Sequence, residues 1–417
     1  MSVSTEPVPA LRPVETFPFE DNGQQYLLLR DPLGFSDKTI AVALGIAPLL
    51  SLMDGYRTIE EITREFEQRS GIPVNTEELA AMIDLLRDSG LLETPEFQKR
   101  RVQMEEEYRA LTIRPAALAG ISYPDDPKEL SGFLDELLAT PPDEDREAEK
   151  PAPGKMLRGI ILPHIDFVRG GVTYGRGYRE TLAMIDELPD PLLIGIVGVA
   201  HQGAGYPIVA ASKDFETPHG AQVSDKAALQ VLRERLGDRP FLSEWAHRSE
   251  HSVELQVVWL QHLLKGRKVT ILPIVAGILS PTASGTPRSD EDVEAVIATM
   301  KEIEKKHDGP VLWLASVDFA HVGPYFGDSG NVDDRTRTDV ARYDMEALQA
   351  VKSADADGWW RSVMKDDNKR RVCGLNAVYL VLRLLEGTKG AVIDYQQAIA
   401  PDDSQMVSFA AAILQNS

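Results

Sequence analysis

The chain has 417 residues, with 65 Asp or Glu against 44 Lys or Arg, so its formal net charge is −21. That charge disfavours non-specific attraction to nucleic acid or to an anionic membrane surface, so neither is a predicted partner. A single cysteine cannot form an internal disulfide, and a hydrophobic fraction of 43% is sufficient for a sizeable core.

No targeting or membrane segment is predicted. The N-terminal residues lack a basic stretch followed by an apolar core, as a signal peptide would have. The most apolar run, residues 191–200, has half the ~20 residues that a membrane-spanning helix needs. It contains Gly195 and Gly198 and fits a buried strand that ends in a loop. We therefore expect a soluble, cytoplasmic protein.

The N-terminal quarter has its own pattern. Residues 1–22 are proline-rich and weakly patterned, which predicts a flexible arm. Residues 23–95 contain a strand-like stretch at 25–30 and helical patterns at 41–53, 59–69 and 77–89. Thr58 and Glu61 have the spacing of a capping box. A strand and three helices in this length predict a small winged-helix-like α+β domain, and a charged helical connector is predicted over 96–115.

The third of these helices argues against DNA reading. It carries Glu77, Glu78, Asp84 and Asp88 against a single Arg87. Carboxylates repel the phosphate backbone, so this helix is unsuited to enter a DNA groove.

The remaining chain alternates short apolar runs with amphipathic stretches. The predicted strands cover 159–162, 192–197, 207–211, 269–274, 311–315, 391–396 and 406–414. The predicted helices cover 175–187, 225–236, 252–264, 290–306, 336–353 and 374–385. Strands separated by helices predict an α/β fold with a mainly parallel or mixed sheet flanked by helices. The acidic, proline-rich stretch 141–155 predicts a solvated loop.

Three histidines directly follow predicted strands. His164 follows 159–162, His201 follows 192–197, and His321 follows 311–315 with Asp318 three residues before it. Ligands of open α/β sheets bind beyond the carboxyl ends of the strands, so these side chains are predicted to converge on one cleft. A lone histidine at such a place is more often structural, and the joint pattern is what indicates a site.

Two further positions remain ambiguous on the residues alone. Cys373 opens the predicted helix 374–385, where a thiol is favoured as thiolate and suits metal ligation or nucleophilic attack. A small buried hydrophobic side chain is an equally good interpretation of this cysteine. His251 and Glu254 are three residues apart on one helix face, which indicates a helix terminus with a polar patch.

Seven motifs, in one order over residues 116–415, resemble those of the Memo family, also called AmmeMemoRadiSam system protein B. They are GISYP at 120–124, LPHIDFVRGGVTYG at 162–175, VAHQG at 199–203, FETPHGAQVSD at 215–225, EHSVELQVVWL at 250–260, SVDFAHVG at 316–323 and VCGLNAV at 372–378. The resemblance implies a domain over 116–417 with the fold of class III extradiol dioxygenases. It also implies a metal position near strand ends.

The resemblance assigns roles residue by residue. It implies that His164, His201 and Cys373 hold the metal, and that His321 transfers protons while Asp318 orients it. An exposed histidine in a pocket, near its unperturbed pKa of about 6.5, suits that task. His251 and Glu254 carry over as pocket residues. Two histidines and one anionic ligand suit ferrous iron and O₂ chemistry, and a thiolate also admits copper or zinc.

This chain departs from the family pattern at the cleft. Gln202 stands where the family often has a second histidine. Asp166 lies in the segment that replaces the family's AGY, which places a new carboxylate near the cleft. Asp166 is predicted as an extra ligand, a base or the cap of the next turn, and the cap is favoured. The stretch 141–155 resembles an insertion.

The N-terminal region has a second resemblance. The segments MDGYRTIEEITREFEQRSGI at 53–72 and LLRDSGLLE at 85–93 resemble PqqD-like modules, which bind leader peptides beside radical SAM enzymes. A generic winged-helix fold used for packing or dimerisation has equal weight. The chain has one cysteine, so it cannot itself hold a three-cysteine radical SAM cluster.

Three functions follow from these patterns. The first is a non-haem iron protein acting in redox or O₂-dependent chemistry, with a peptide presented by the N-terminal module as one substrate. The second is a non-enzymatic metal- or peptide-binding scaffold that works with a radical SAM partner. The third is zinc-dependent hydrolysis, because three protein ligands and a water also describe catalytic zinc.

Overall fold

The computed structural model describes residues 6–141 and 149–417. The chain forms two compact units, Met1–Ala110 and Leu111–Ser417. Their boundary falls inside the predicted connector over 96–115. Each unit encloses a hydrophobic core of its own.

The first unit combines a three-stranded sheet with helices. Its antiparallel strands β1 (Glu15–Asp21), β2 (Gln24–Arg30) and β3 (Thr39–Ala43) lie in that order in the sheet. A 3-10 helix (Leu44–Leu52) and the helices α1 (Ile59–Ser70), α2 (Thr76–Asp88) and α3 (Pro95–Ala110) follow. Leu29 of β2, Ile62 of α1 and Leu86 of α2 are fully buried in the core.

Two local predictions differ from the structure here. The predicted arm over 1–22 contains β1, which pairs residue by residue with β2. The predicted helix over 41–53 begins as β3, because Ile40 and Val42 alternate with exposed neighbours and pair with β2. The capping box of Thr58 and Glu61 is present as predicted. The winged-helix-like description of this unit stays a prediction.

The second unit is built around a mixed sheet. The strands of the second unit are β4 (Ile113–Arg114), β5 (Leu157–Leu162), β6 (Leu192–Val199), β7 (Ile208–Ala210), β8 (Asp214–Thr217), β9 (Gly220–Gln222), β10 (Val269–Ala276), β11 (Val311–Ser316), β12 (His321–Val322), β13 (Lys389–Ile399) and β14 (Met406–Gln415). The main sheet has the order β12-β14-β5-β11-β6-β10-β7, and β13 pairs with β14. The four central strands β5, β11, β6 and β10 are parallel, and the flanking strands are antiparallel.

Helices cover both faces of this sheet. They are α4 (Pro127–Ala139), α5 (Phe167–Asp186), α6 (Lys226–Leu236), α7 (His251–Leu263), α8 (Glu291–Lys306), α9 (Asp334–Lys352), α10 (Ala356–Met364) and α11 (Leu375–Leu384). Side chains of α4, α5 and α7 share one apolar cluster with the sheet, and those of α6 and α8 to α11 share the other. The predicted α/β architecture, a mixed sheet flanked by helices, is confirmed. Among the described residues, no helix combines the length and apolarity that a bilayer crossing needs.

Helix α5 begins eight residues earlier than predicted, at Phe167 rather than at residue 175. Its first half holds several glycines, which have low helix propensity and conceal the helix from pattern analysis. Gly175 has a packing reason, because a Cβ there would lie 2.3 Å from the carbonyl oxygen of Leu137 in α4. Of the predicted loop over 141–155, residues 142–148 lie outside the described part of the chain.

Candidate functional site

Three candidate residues lie at matching places on three neighbouring strands. His164 lies two residues beyond β5, Asp318 two beyond β11, and His201 two beyond β6. These strands are adjacent and parallel, so their carboxyl ends meet at one edge of the sheet. Of the three histidines predicted to converge, His164 and His201 therefore lie at one edge of the sheet, and Asp318 lies at the end of the strand between theirs.

A third histidine joins them from a helix. His251 is the first residue of α7, whose N-terminus rests on the end of β6 through a 3.0 Å bond from Val199 N to Ser252 Oγ. Gly198 permits this approach, because a Cβ there would lie 2.2 Å from Ser252 Oγ. Potential ligand atoms of His164, His201 and His251 all lie within 4.8 Å of one another. Such a cluster has the dimensions of a metal site.

Two of the three rings are hydrogen-bonded through Nδ1, and the third has its Nδ1 close to one of the same acceptors. His164 Nδ1 donates to Ser316 O at 2.9 Å, and His201 Nδ1 lies 3.0 Å from Glu250 Oε2. His251 Nδ1 lies 3.3 Å from Glu250 Oε1. Carbonyl and carboxylate oxygens only accept hydrogen bonds, so His164 and His201 each carry a proton on Nδ1, and Nε2 is the nitrogen available to a metal once the ring is neutral. This is the arrangement of metal-binding histidines, whose second nitrogen is held by a protein acceptor.

Glu250 was not among the predicted site residues. Its buried carboxylate caps α7 by accepting from Ser252 N at 2.9 Å, and it contacts His201 and His251 at the same time. Burial works against its ionisation, but the two histidines keep the pKa of Glu250 well below its usual range. The signal in the sequence was an acidic residue directly before the helix that begins with His251.

The same contacts set the charge of the rings in the metal-free protein. Burial and the neighbouring His251 and His201 keep the pKa of His164 well below its usual value. Burial also lowers the pKa of His251 to about 4. Burial opposes protonation of His201 as well, yet Glu250 outweighs it and raises the pKa of His201 well above its usual value.

Cys373 lies beside the histidine cluster. Its Sγ is 3.3 Å from His164 Nε2 and 3.3 Å from Asp318 O. Of the two equal interpretations of Cys373, the thiolate is disfavoured in the metal-free protein, because burial raises the pKa of the Cys373 thiol. Proximity to the start of α11 does not offset that desolvation. A bound cation would reverse the balance, since a coordinating thiol loses its proton.

Asp318 supports His164 and does not orient His321. Its Oδ1 accepts from the backbone N–H of His164 at 3.0 Å and of Ile165 at 3.2 Å. Its Oδ2 lies 3.7 Å from His164 Nε2. Burial raises the pKa of Asp318 to about 7.

His321 is instead held by backbone carbonyls. Its Nδ1 lies 3.1 Å from both Phe319 O and Arg371 O, and its ring packs edge-on against Phe326. Sequence reasoning expected an exposed ring with an ordinary pKa. Burial lowers the pKa of His321 to about 4, so the ring is neutral at physiological pH.

The other predicted pocket residues have local partners. Glu254 is fully buried in an ion pair with Arg114, and it also accepts from Tyr123 and from the backbone of Ala117 and Leu118. These bonds make it an anchor for the segment before α4 rather than a residue that faces a substrate.

Asp166 and Gln202 also bond to close neighbours. Asp166 caps α5 by accepting from Arg169 N, as the favoured interpretation held, and its Oδ2 pairs with Arg169 Nε at 2.6 Å. Gln202 donates to Ser249 Oγ at 3.1 Å.

Sequence comparison decides the family. Residues 114–413 match the family model described as Memo-like protein. A MEMO1 family protein of Thermus thermophilus is 32% identical over 349 residues, which are 82% of this chain and 94% of that relative. The chain belongs to the Memo-like family. The match to the Memo-like model includes every candidate site residue from His164 to Cys373.

Two other relatives align with different shares of this chain. A MEMO1 family protein of Aquifex aeolicus is 28% identical over 404 residues, 96% of this chain and 98% of the relative. That alignment reaches into Met1–Ala110, since the second unit alone cannot account for it. A MEMO1 family protein of Archaeoglobus fulgidus is 27% identical over 307 residues, 72% of this chain and 99% of the relative.

Proposed function

We propose that this Memo-like protein binds a metal at the histidine cluster, with ferrous iron as the metal, and acts in redox or O₂-dependent chemistry. The observation that carries the proposal is the set of three imidazoles within 4.8 Å of one another, two of them hydrogen-bonded through Nδ1. Three imidazole nitrogens beside a thiol are a donor set that fits iron, and also copper or zinc, and binding would displace the second proton that His201 holds in the metal-free protein. We also propose the class III extradiol dioxygenase-like fold for the second unit.

His164 and His201 would hold the metal, and His251 and Cys373 are the neighbouring side chains that would supply further donor atoms. When bound, ferrous iron supplies a redox-active Lewis acid at the carboxyl edge of the sheet. Glu250 and Ser316 O fix the ring orientations, so the donor atoms are in place before binding. We assign proton transfer to Nε2 of His321, because its Nδ1 is engaged by two carbonyl oxygens. Asp318 acts through His164, as a positioning residue.

Zinc-dependent hydrolysis is the second candidate, and His251 is the observation that favours it. The sequence motifs assigned two histidines and a cysteine, whereas the histidine cluster supplies three imidazoles. Three histidines that leave one position for water are a known catalytic zinc arrangement. This candidate predicts activity that persists without O₂.

We also propose a partner for the first unit, which would bind a peptide in the manner of a PqqD-like module beside a radical SAM enzyme. In support, an open groove of about 520 Å³ lies along α1, lined by Tyr56, Arg57, Arg64 and Gln68 among others. Tyr56 is 84% exposed there.

A cytoplasmic location agrees with the unpaired cysteine.

Metal content after anaerobic purification tests the main proposal. Wild type should contain nearly stoichiometric iron, and His164→Ala and Cys373→Ser should lose it. His251→Ala should lose affinity as well, whereas His262→Ala on the same helix should not, because His262 pairs with Asp135 instead. Zinc in place of iron would favour hydrolysis. No metal in any folded sample, even after addition of ferrous ion, would favour the scaffold.

Binding of nitric oxide to the ferrous form separates oxygen chemistry from mere metal storage. An iron-loaded protein with an open coordination position should give a paramagnetic nitrosyl signal. The absence of that signal in a fully loaded sample would count against oxygenase chemistry and leave a metal-binding scaffold.

A further inference from the structure

Another buried carboxylate, that of Asp344, lies outside the residues assigned so far. Asp344 on α9 is 1% exposed and accepts three hydrogen bonds. They come from Ser408 Oγ at 2.5 Å, Tyr395 Oη at 2.9 Å and Arg370 Nη1 at 3.2 Å. A buried charge must be well paired to be tolerated, so these bonds fix the positions of the groups that make them.

The bond to Ser408 leads to the loop that carries His321. Ser408 Oγ donates to Asp344 and accepts from the backbone N–H of Ala320 at 2.9 Å. The backbone of Ser408 also bonds Ala320 O at 2.9 Å and the N–H of Phe319 at 2.7 Å. The chain between Asp318 and His321 is thereby held against β14 and tied to Asp344 through one hydroxyl.

The bond to Arg370 leads to the loop that ends in Cys373. Arg370 lies three residues before Cys373, and its carbonyl accepts from the N–H of His321 at 2.7 Å. Three non-glycine residues of this loop have left-handed backbones: Asp367 with φ 58°, Asn368 with φ 52° and Arg371 with φ 53°. Strained conformations of this kind persist only where the surroundings fix them.

We propose that Asp344 is a positioning residue that fixes both loops of the site, the one with Asp318 and His321 and the one that ends in Cys373. Its importance for chemistry rests on the proposed function, but its effect on geometry does not. Arg370 is the cation that pairs directly with it, and it also stacks on Tyr343 at 4.6 Å. Removing the carboxylate takes away the anchor that the two segments share. Their direct bonds remain, from His321 N to Arg370 O, from His321 Nδ1 to Arg371 O, from Arg371 Nη1 to His321 O and from Gly374 N to Asp318 O.

The sole cysteine makes this geometry measurable without metal. Cys373 is the one thiol in the chain, so alkylation by iodoacetamide in chelator-treated protein reports on it alone. Asp344→Asn should raise the alkylation rate roughly tenfold, because a charge-assisted bond to Arg370 is lost. Asp394→Asn is the matched control. Asp394 is also buried and bonds Arg176 at 2.7 Å and Thr173 at 2.6 Å, neither of which lies in the two loops.

Two further variants separate the two links. Arg370→Gln should raise the alkylation rate of Cys373 about as much as Asp344→Asn does, whereas Ser408→Ala should change it less than about twofold. Ser408→Ala and Asp344→Asn should both shift the side-chain nitrogen resonances of His321, which His321→Gln serves to assign. If Asp344→Asn does not fold, these two variants carry the test.

The outcomes are distinct from those of the metal experiment. An alkylation rate of Asp344→Asn within about twofold of the wild-type rate would overturn the positioning role. An equal rise of the alkylation rate in Asp394→Asn would overturn it as well, because a global loss of stability would affect both variants alike. A wild type that binds no iron would remove the proposed function, and these rates in metal-free protein would still decide the role of Asp344.

Discussion

The orientation of each histidine ring depends on what its Nδ1 contacts. Two of the three rings contact a single carboxylate, that of Glu250, which accepts a hydrogen bond from His201 Nδ1 and lies 3.3 Å from His251 Nδ1. Coordination needs a neutral imidazole with an available nitrogen, and an outer carboxylate also raises ligand basicity. The site is therefore organised by Glu250 as much as by the donors.

Substitution of Glu250 by Gln tests that role. Glu250→Gln should weaken Co²⁺ binding by roughly 10- to 100-fold, the usual cost of losing an outer-shell partner. Glu254→Gln is the matched control on the same helix, because its carboxylate bonds Arg114 and Tyr123. The control should lower stability while leaving Co²⁺ affinity within about threefold. Optical titration at fixed pH measures both, and equal losses of affinity would contradict the assignment.

Part of the site was predictable from residue positions. His164, His201 and His321 all follow strands, and that placement requires only the order of strands and loops along the chain. The role of Glu250 was not predictable, since it depends on α7 docking against the end of β6. The raised pKa of Cys373 and the lowered pKa of His321 could not be predicted for a related reason: burial of a side chain is a property of the packed molecule.

At the scale of elements, close packing of α4 on α5 depends on glycine. Gly175→Ala should destabilise the second unit by about 1–3 kcal/mol, because the new Cβ would meet the backbone of Leu137 at 2.3 Å and the helices must separate. Gly132→Ala on α4 should instead stabilise it by about 0.5–1 kcal/mol, since a Cβ there meets nothing within 4 Å. Urea denaturation compares the two, and a shift of the same sign in both would contradict this packing.

Asp344 links α9 to the pH dependence of stability. Burial raises its pKa from 3.8 to about 6. The folded state therefore binds this proton more tightly than the unfolded state, so the group's contribution to the free energy of unfolding decreases as pH rises through that interval. Asp344→Asn lacks this titration. The free energy of unfolding of wild type minus that of the variant should fall by about 1 kcal/mol between pH 5 and pH 7.5. Denaturation curves at both pH values measure it, and a constant or rising difference would contradict the raised pKa.

Elements with clear patterns were predicted and those defined by tertiary contacts were not. The apolar runs that became β5, β6, β10 and β11 are buried on both faces of the sheet, and continuous apolar sequence is the expected signature of such strands. The start of α5 was missed because its first half is rich in glycine, and Gly175 there allows close packing against α4. Strand β3 was taken for the start of a helix because five residues carry too little periodicity to separate the two structures.

At the scale of the whole molecule, the two units are separate in core and in sequence relationship. The core of Met1–Ala110 contains only residues of that unit, among them Leu29 and Phe66. The Archaeoglobus relative aligns over 99% of its own length with 72% of this chain. The match to the Memo-like family begins at residue 114, close to the start of the second unit at Leu111. The second unit is thus the part of the chain that the family model covers, and it has hydrophobic clusters of its own.

Expression of residues 111–417 alone tests whether that unit is sufficient for the site. Every donor and every tether described above lies within it, from His164 and Glu250 to Cys373. The isolated unit should therefore fold and bind the same amount of metal per chain as the full protein, because removing the first unit deletes none of these groups. Elemental analysis and circular dichroism of both proteins, purified side by side, provide the comparison. If the isolated second unit folds but has lost its metal, the first unit contributes to the site. The catalytic chemistry would then have to be sought in both units.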